Sequence, residues 1–293
     1  MDKKNYYTLT DISVIKSVMS KNGVTFSKGL GQNFLVDPTV CPRMAEAVKE
    51  SGNGGKIGVL EIGAGVGVLT KELLERCDKT VCVELDKRLF PVLSETLAGY
   101  GNLTLINGDI LKIDLQKLID EHFDGMQIFV CANLPYYITS PVIMRLLEER
   151  LPFSKIIVMV QKEAADRLCA EVGTRESGAV TVAVNYYAKA KKLFDVPRTS
   201  FYPSPKVDSC VIELDLTDRA DFSVKDEKLF FKTVRAAFGQ RRKTVLNSLC
   251  SGMGIPKDKL SVALSNADIP PTARAEALTM EQLIKLSNEI HEI

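Results

Sequence analysis

The chain has 293 residues, of which 45% are hydrophobic, and 38 basic against 37 acidic side chains give a formal net charge of +1. This supports a packed core in one large or two ordinary domains and excludes a globally disordered chain. The near-neutral balance excludes a uniformly basic nucleic-acid coat, so any RNA contact must come from locally gathered basic residues. Seven cysteines, Cys41, Cys77, Cys82, Cys131, Cys169, Cys210 and Cys250, form no CxxC pair and are odd in number. Neither a disulfide framework nor a metal site is signalled, and the thiols read as small buried hydrophobes in a reducing compartment. The N-terminal stretch lacks the apolar core of a secretory leader and no apolar run is long enough to span a bilayer, so the expectation is a cytoplasmic protein with no membrane association.

In chain order, a helix-like stretch covers Pro38 to Glu50, and the loop Ser51 to Lys56 follows. Short β-rich runs then alternate with helical patterns. The runs are Ile57 to Ile62, Thr80 to Leu85, Leu103 to Ile106, Gln127 to Ala132 and Lys155 to Val160; helical periodicity marks Val68 to Cys77 and Ser140 to Glu149. Continuous apolar strands separated by helices indicate an α/β fold with a mainly parallel sheet covered on both faces. Further strands are expected near Ala188 to Val196 and Asp208 to Leu214, joined by a loop that Pro197, Pro203 and Pro205 stiffen. The pattern leaves Gly178 to Tyr187 open between helix and strand. From about Thr217 only helix-length segments appear: Lys225 to Phe238, Lys243 to Ser251 and Met280 to Ile293. The expected organisation is therefore a first domain over residues 1–216 and a small all-helical domain over 217–293.

The first strand runs into Glu61-Ile62-Gly63-Ala64-Gly65-Val66-Gly67, with a helix behind it. Gly63 and Gly65 allow a sharp turn and a close approach by a ligand, and the helix start offers unpaired N–H groups. A purely structural tight turn would also be glycine-rich. Glu84, ending the second strand about 20 residues on, stands where an acid accepts hydrogen bonds from a ribose diol. Asp109, after the third strand, could accept from an adenine amine. A dinucleotide dehydrogenase would share the first two features, but its loop usually reads GxGxxG rather than GxGxG.

Asn133-Leu134-Pro135-Tyr136 follows the fourth strand. An adenine N6 amine is a poor nucleophile because its lone pair is delocalised into the ring. The Asn133 side-chain oxygen and the Leu134 carbonyl could accept its two N–H hydrogens in directions that favour a tetrahedral nitrogen. Pro135 restricts the backbone, and Tyr136 offers a ring for a base to stack on. With an activated sulfonium as donor no strong base is required, which suits a chain whose only histidines are His122 and His291. A plain Asn-Leu-Pro turn closing a buried strand is the alternative.

With these motifs in register, the sequence resembles the KsgA-type ribosomal RNA adenine dimethyltransferases from about Phe26 to the last helices. Gly31-Gln32-Asn33-Phe34-Leu35 is similar to that family's cofactor-covering segment. Gln161-Lys162-Glu163, Phe201 to Ser209 and Gln240-Arg241-Arg242-Lys243-Thr244 also match in order. The resemblance implies a class I, Rossmann-like methyltransferase sheet flanked by helices. It implies S-adenosylmethionine as donor, and as targets two adjacent adenosines near the 3′ end of small-subunit rRNA in an immature subunit, each dimethylated by a monomeric enzyme. By the same resemblance Asn33, Leu35, Gly63, Glu84, Asp109 and Asn133 contact the cofactor, while Asn133 to Tyr136 and Phe201 hold the flipped adenine. Tyr137 is a departure, since the family often has Asn there. The related erythromycin-resistance enzymes, which act on large-subunit rRNA, usually carry NIPY. A methyltransferase of large-subunit rRNA or DNA, and a non-enzymatic ribosome-assembly factor, are the competing readings.

Lys232, Arg235, Arg241, Arg242 and Lys243 lie within twelve residues that hold no acid, with Phe230, Phe231 and Phe238 among or beside them. Such a cluster suits phosphate contact, and Arg235, Arg241, Arg242 and Lys243 are the candidate RNA-binding residues. A solvated helix end with its phenylalanines in the core is equally compatible. The lysines of the N-terminal segment (Lys3, Lys4, Lys16, Lys21, Lys28) and Lys189, Lys191 and Lys192 form weaker clusters.

Overall fold

The computed structural model describes residues 8–25, 33–218, 221–240 and 242–293. Among these the strands are β1 (Phe34–Leu35), β2 (Ile57–Ile62), β3 (Lys79–Glu84), β4 (Leu103–Asn107), β5 (Gln127–Asn133), β6 (Phe153–Gln161), β7 (Lys189–Val196), β8 (Phe201–Tyr202) and β9 (Ser209–Asp215). The helices are α1 (Ile12–Lys21), α2 (Val40–Glu50), α3 (Val68–Arg76), α4 (Phe90–Thr96), α5 (Leu115–His122), α6 (Thr139–Glu148), α7 (Lys162–Leu168), α8 (Ala179–Tyr187), α9 (Glu227–Phe238), α10 (Val245–Met253), α11 (Lys257–Asn266) and α12 (Met280–His291).

Seven strands form one sheet in the order β4-β3-β2-β5-β6-β9-β7, and β1 pairs antiparallel with β8 in a separate ribbon. From β4 to β6 the strands are parallel, while β9 runs antiparallel to β6. The apolar runs explain this. All six residues of β2 are buried, which requires cover on both faces and suits a central strand of a parallel sheet. On one face Val59, Phe129, Cys131, Ile157 and Met159 pack with Met44, Ala45 and Val48 of α2 and Leu69 and Leu73 of α3. Strand order reverses between β2 and β5, and at such a switch point the loops leaving the C-terminal strand ends part to form a crevice.

The chain separates into two compact units: 1–165 with 191–217, and 166–190 with 218–293. A single cut after residue 216 leaves Asp166–Ala190 on the wrong side, because this segment groups with the C-terminal helices. The cause is aromatic. Tyr186 and Tyr187 of α8 donate hydrogen bonds to Glu227 at 3.1 and 2.9 Å. Their rings meet Phe222, Phe230 and Phe231 at centroid distances of 5.2–5.6 Å. The open assignment of Gly178 to Tyr187 resolves as helix. Five of the nine residues of α8 are buried, spread over most of its circumference, so it lacks the one-sided periodicity that identifies a surface helix.

Candidate active site

The glycine loop leaves β2 with Gly63, Gly65 and Gly67 at φ of 77°, 59° and 92°. In this left-handed region a Cβ is strained. At Gly67, which starts α3, a Cβ would also come within 3.2 Å of Leu97. The space that a Cβ on Gly63 would occupy has no heavy atom within 4 Å. Gly67 is therefore fixed by packing, while Gly63 keeps backbone open to a ligand.

Glu84, at the end of β3, is 6% exposed. One carboxylate oxygen accepts the Gly65 N–H at 3.1 Å and the other the Asp86 N–H at 2.8 Å. The glycine loop and the strand end thus orient the carboxylate while each oxygen keeps a lone pair for a further donor. Burial pushes its pKa up, against the lowering effect of those two N–H groups. Beside it, Gly108 N–H donates to the Glu84 carbonyl at 3.1 Å and the Asn107 amide to the same oxygen at 2.9 Å, which fixes the turn carrying Asp109. Asp109 accepts the Leu111 N–H at 3.0 Å and lies 3.6 Å from the Lys112 ammonium.

Asn133 closes β5, and its side-chain amide has no hydrogen-bond partner among the described residues. Leu134, 1% exposed, donates its N–H to the Met159 carbonyl at 3.2 Å and so anchors the turn to β6. Pro135 accepts the Ile138 N–H at 3.1 Å. The Tyr136 hydroxyl shares a 2.8 Å hydrogen bond with the Ser209 hydroxyl at the start of β9, and burial raises its pKa. Phe201 pairs with Leu35 in the small ribbon, and both are largely buried, at 4% and 3%.

Asn33, Leu35, Gly63, Gly65, Glu84, Asp109, Asn133, Leu134, Pro135, Tyr136 and Phe201 all line one cleft of about 1140 Å³, including the solvent at its mouth. Its walls also include Phe34, Val66, Leu85, Ile110 and Tyr137. Sequence reasoning assigned no part to Glu61, which also lines the cleft. It is 1% exposed, accepts the Cys82 thiol at 2.7 Å, and desolvation raises its pKa to about 7. The available signal was one acid inside an otherwise apolar strand.

The candidate RNA-binding residues lie in the second unit. Arg235 is exposed on the last turn of α9. Arg242 and Lys243 are exposed in the turn before α10, which starts at Val245 rather than Lys243. Arg241 lies outside the described residues. Phe230 and Phe231 are core, at 0% and 4% exposure, so they are not RNA platforms. Lys189 and Lys191 pair with Asp218 and Glu213, both at 3.0 Å, as a solvated strand surface would. Lys3, Lys4 and Lys28, with Gly31 and Gln32, lie outside the described residues. Among the described residues no helix is long and apolar enough to cross a membrane, and no cluster of His, Cys, Asp and Glu could hold a metal.

The model of the ribosomal RNA adenine dimethylases matches residues 23–292. The chain belongs to the ribosomal RNA adenine dimethylase family. It is 44% identical over 282 residues to a ribosomal RNA small subunit methyltransferase A of Geobacillus sp. (strain WCH70), covering 95% of this chain and 96% of that protein. The protein of the same name from Bacillus cereus (strain B4264) is 46% identical over 279 residues, covering 94% of each chain. Among solved structures, a dimethyladenosine transferase from Plasmodium falciparum superposes with a TM-score of 0.67 at 27% identity, over 88% of this chain and 97% of that one. The 23S rRNA methyltransferase ErmE superposes at 0.62 with 26% identity, over 88% of this chain and all of that one. The small-subunit relatives are thus nearer in sequence than this large-subunit one, as the Asn-Leu-Pro-Tyr motif suggests.

Proposed function

We propose that the protein transfers methyl groups from S-adenosylmethionine to N6 of two adjacent adenosines near the 3′ end of small-subunit rRNA, within an immature subunit. The observation that carries this reading is the meeting, in one cleft at the sheet's switch point, of the glycine loop, Glu84 and Asp109 with Asn133 to Tyr136.

The residues fit the cofactor. The open space over Gly63 admits it close to the backbone, and the oriented Glu84 carboxylate suits a ribose diol. Asp109 accepts from the adenine amine, and Asn33 and Leu35 flank the cleft. When bound, the cofactor supplies a methyl group made electrophilic by its sulfonium. The Asn133 oxygen and Leu134 carbonyl accept the target amine's hydrogens and turn its lone pair toward that methyl. Pro135 holds the turn, and Tyr136, fixed through Ser209, offers its ring to the flipped base with Phe201 at the edge. Neither histidine lines the cleft, so the proton released after transfer goes to solvent.

Arg235, Arg241, Arg242 and Lys243 of the helical unit contact rRNA phosphates. The enzyme acts as a monomer in the cytoplasm, where its substrate is assembled. The test is to incubate the protein with labelled cofactor and immature small subunits, then map the methylated nucleotides. Two adjacent dimethylated adenosines are expected; label at other nucleotides, or no label on small subunits while large subunits offered in parallel are labelled, overturns the reading.

A further inference from the structure

Tyr137 stands out among the cleft residues. It is 59% exposed, as far out of the fold as any large apolar side chain among the described residues. It belongs to the short 3₁₀ turn Tyr136–Ile138, and Tyr136 beside it is tied down through Ser209. Tyr137 itself has neither a hydrogen bond nor a ring partner among the described residues, yet it lines the mouth of the cleft. Leu85, the other strongly exposed apolar side chain there, follows Glu84 on the cofactor side, whereas Tyr137 follows the residues that face the target base.

Flipping a base costs stacking twice, because the extruded base and the neighbour left behind both lose a partner. An aromatic ring at the mouth can restore the second loss, since any base will stack on it. Tyr137 directly follows Tyr136 in the chain and lines the mouth, and the neighbour of a flipped nucleotide is covalently tied to it, so that neighbour is left at the mouth. We propose that Tyr137 is a specificity-determining residue that stacks the adenosine next to the one being methylated. The ring thereby holds the second target at the mouth while the first reacts. This inference rests on the reading that two adjacent adenosines are the substrate.

The test uses the full chain and immature small subunits whose rRNA carries 2-aminopurine in place of one of the two adenosines. 2-Aminopurine lacks the reactive amine and brightens when unstacked, so it reports on the neighbour and not on the reacting base. With S-adenosylhomocysteine present to hold the complex, wild type and Tyr137→Phe are expected to keep the probe quenched. In Tyr137→Ala the probe should brighten severalfold, and affinity for the subunit should fall ~5- to 150-fold, the range for losing one base–aromatic stack. Cofactor affinity should not move, which separates this role from a general disturbance of the cleft. Equal probe fluorescence in the wild-type and Tyr137→Ala complexes overturns the proposal, as does a bright probe with wild type. Failure of wild type to methylate unlabelled subunits would instead sink the functional reading on which it rests.

Discussion

Two side chains carry separable parts of the proposed chemistry. Glu84 has both carboxylate oxygens placed by backbone N–H groups before any ligand arrives, so its role is one of prior orientation. Glu84→Gln keeps the shape and one acceptor but removes the charge. It should weaken cofactor binding by about 1.5–3 kcal/mol, the value of hydrogen bonds to a charged group, as read by calorimetry. The same contact sets a pH dependence. Burial raises the Glu84 pKa, and the ionised form is the better acceptor. Wild-type affinity should therefore fall as pH drops through that raised pKa, and the Gln variant should lose this dependence. Asn133 acts on the other reactant. Because Asn133 also borders the cofactor, Asn133→Ala should weaken cofactor binding somewhat, but at saturating cofactor it should still lower kcat by roughly 10²-fold, the scale of one lost preorganised polar group. Single-turnover methylation of small subunits measures it, and near-normal turnover would remove Asn133 from the chemistry.

At the scale of elements, legibility in the sequence followed burial. The strands β2, β3 and β5 are apolar runs buried on both faces, and they and the half-buried edge strand β4 were each readable to within a residue or so at either end. The site was readable because it sits where those strands stop: Gly63, Glu84, Asp109 and Asn133 all follow the end of an apolar run. The helices α4 and α5 were not anticipated. α4 has seven residues, too few to show a period; α5 has eight and does bury Leu115, Leu118 and Ile119 at helical spacing, but over a stretch short enough to pass for a loop. The turn between α9 and α10 shows the same limit. A sequence pattern extends a helix to Lys243, but Thr244 precedes α10 and Lys243 donates its N–H back to Gln240 at 3.0 Å, so the basic residues sit in a turn. Arg242 and Lys243 are consequently not spaced around a helix axis, and both are exposed. Replacing the pair by Ala should remove two phosphate contacts. The log K against log salt slope should then shrink by roughly 1.4–1.8, at 0.7–0.9 per contact. RNA-binding titrations across a salt series, with melts to exclude unfolding, decide this; an unchanged slope makes the turn an ordinary solvated surface.

For the molecule as a whole, the same cleft carries a stability cost that should be visible in its pH profile. Glu61 is the penultimate residue of β2, all of whose residues are buried; it is 1% exposed and has a thiol at 2.7 Å as its neighbour rather than a cation. Desolvation lifts its pKa from 4.5 to about 7, outweighing the hydrogen bonds from Cys82 and Thr70 that lower it. A carboxyl whose pKa is raised by folding contributes most to stability below its unfolded value. That contribution is lost as pH rises toward the folded value and stays lost above it. The window therefore runs from about pH 4.5 to pH 7, and the displacement corresponds to about 3 kcal/mol across it. Glu61→Gln cannot ionise and should be free of this term. The variant introduces a buried amide, whose cost shifts its stability by an amount independent of pH. The informative quantity is thus the difference between variant and wild type as a function of pH. It should move in the variant's favour by about 3 kcal/mol between pH 4 and pH 8, with most of the change between 4.5 and 7. Urea denaturation of the cofactor-free protein at several pH values measures it. Parallel pH profiles for the two proteins would mean that Glu61 is ionised in the fold at neutral pH, held so by a donor other than Cys82 and Thr70.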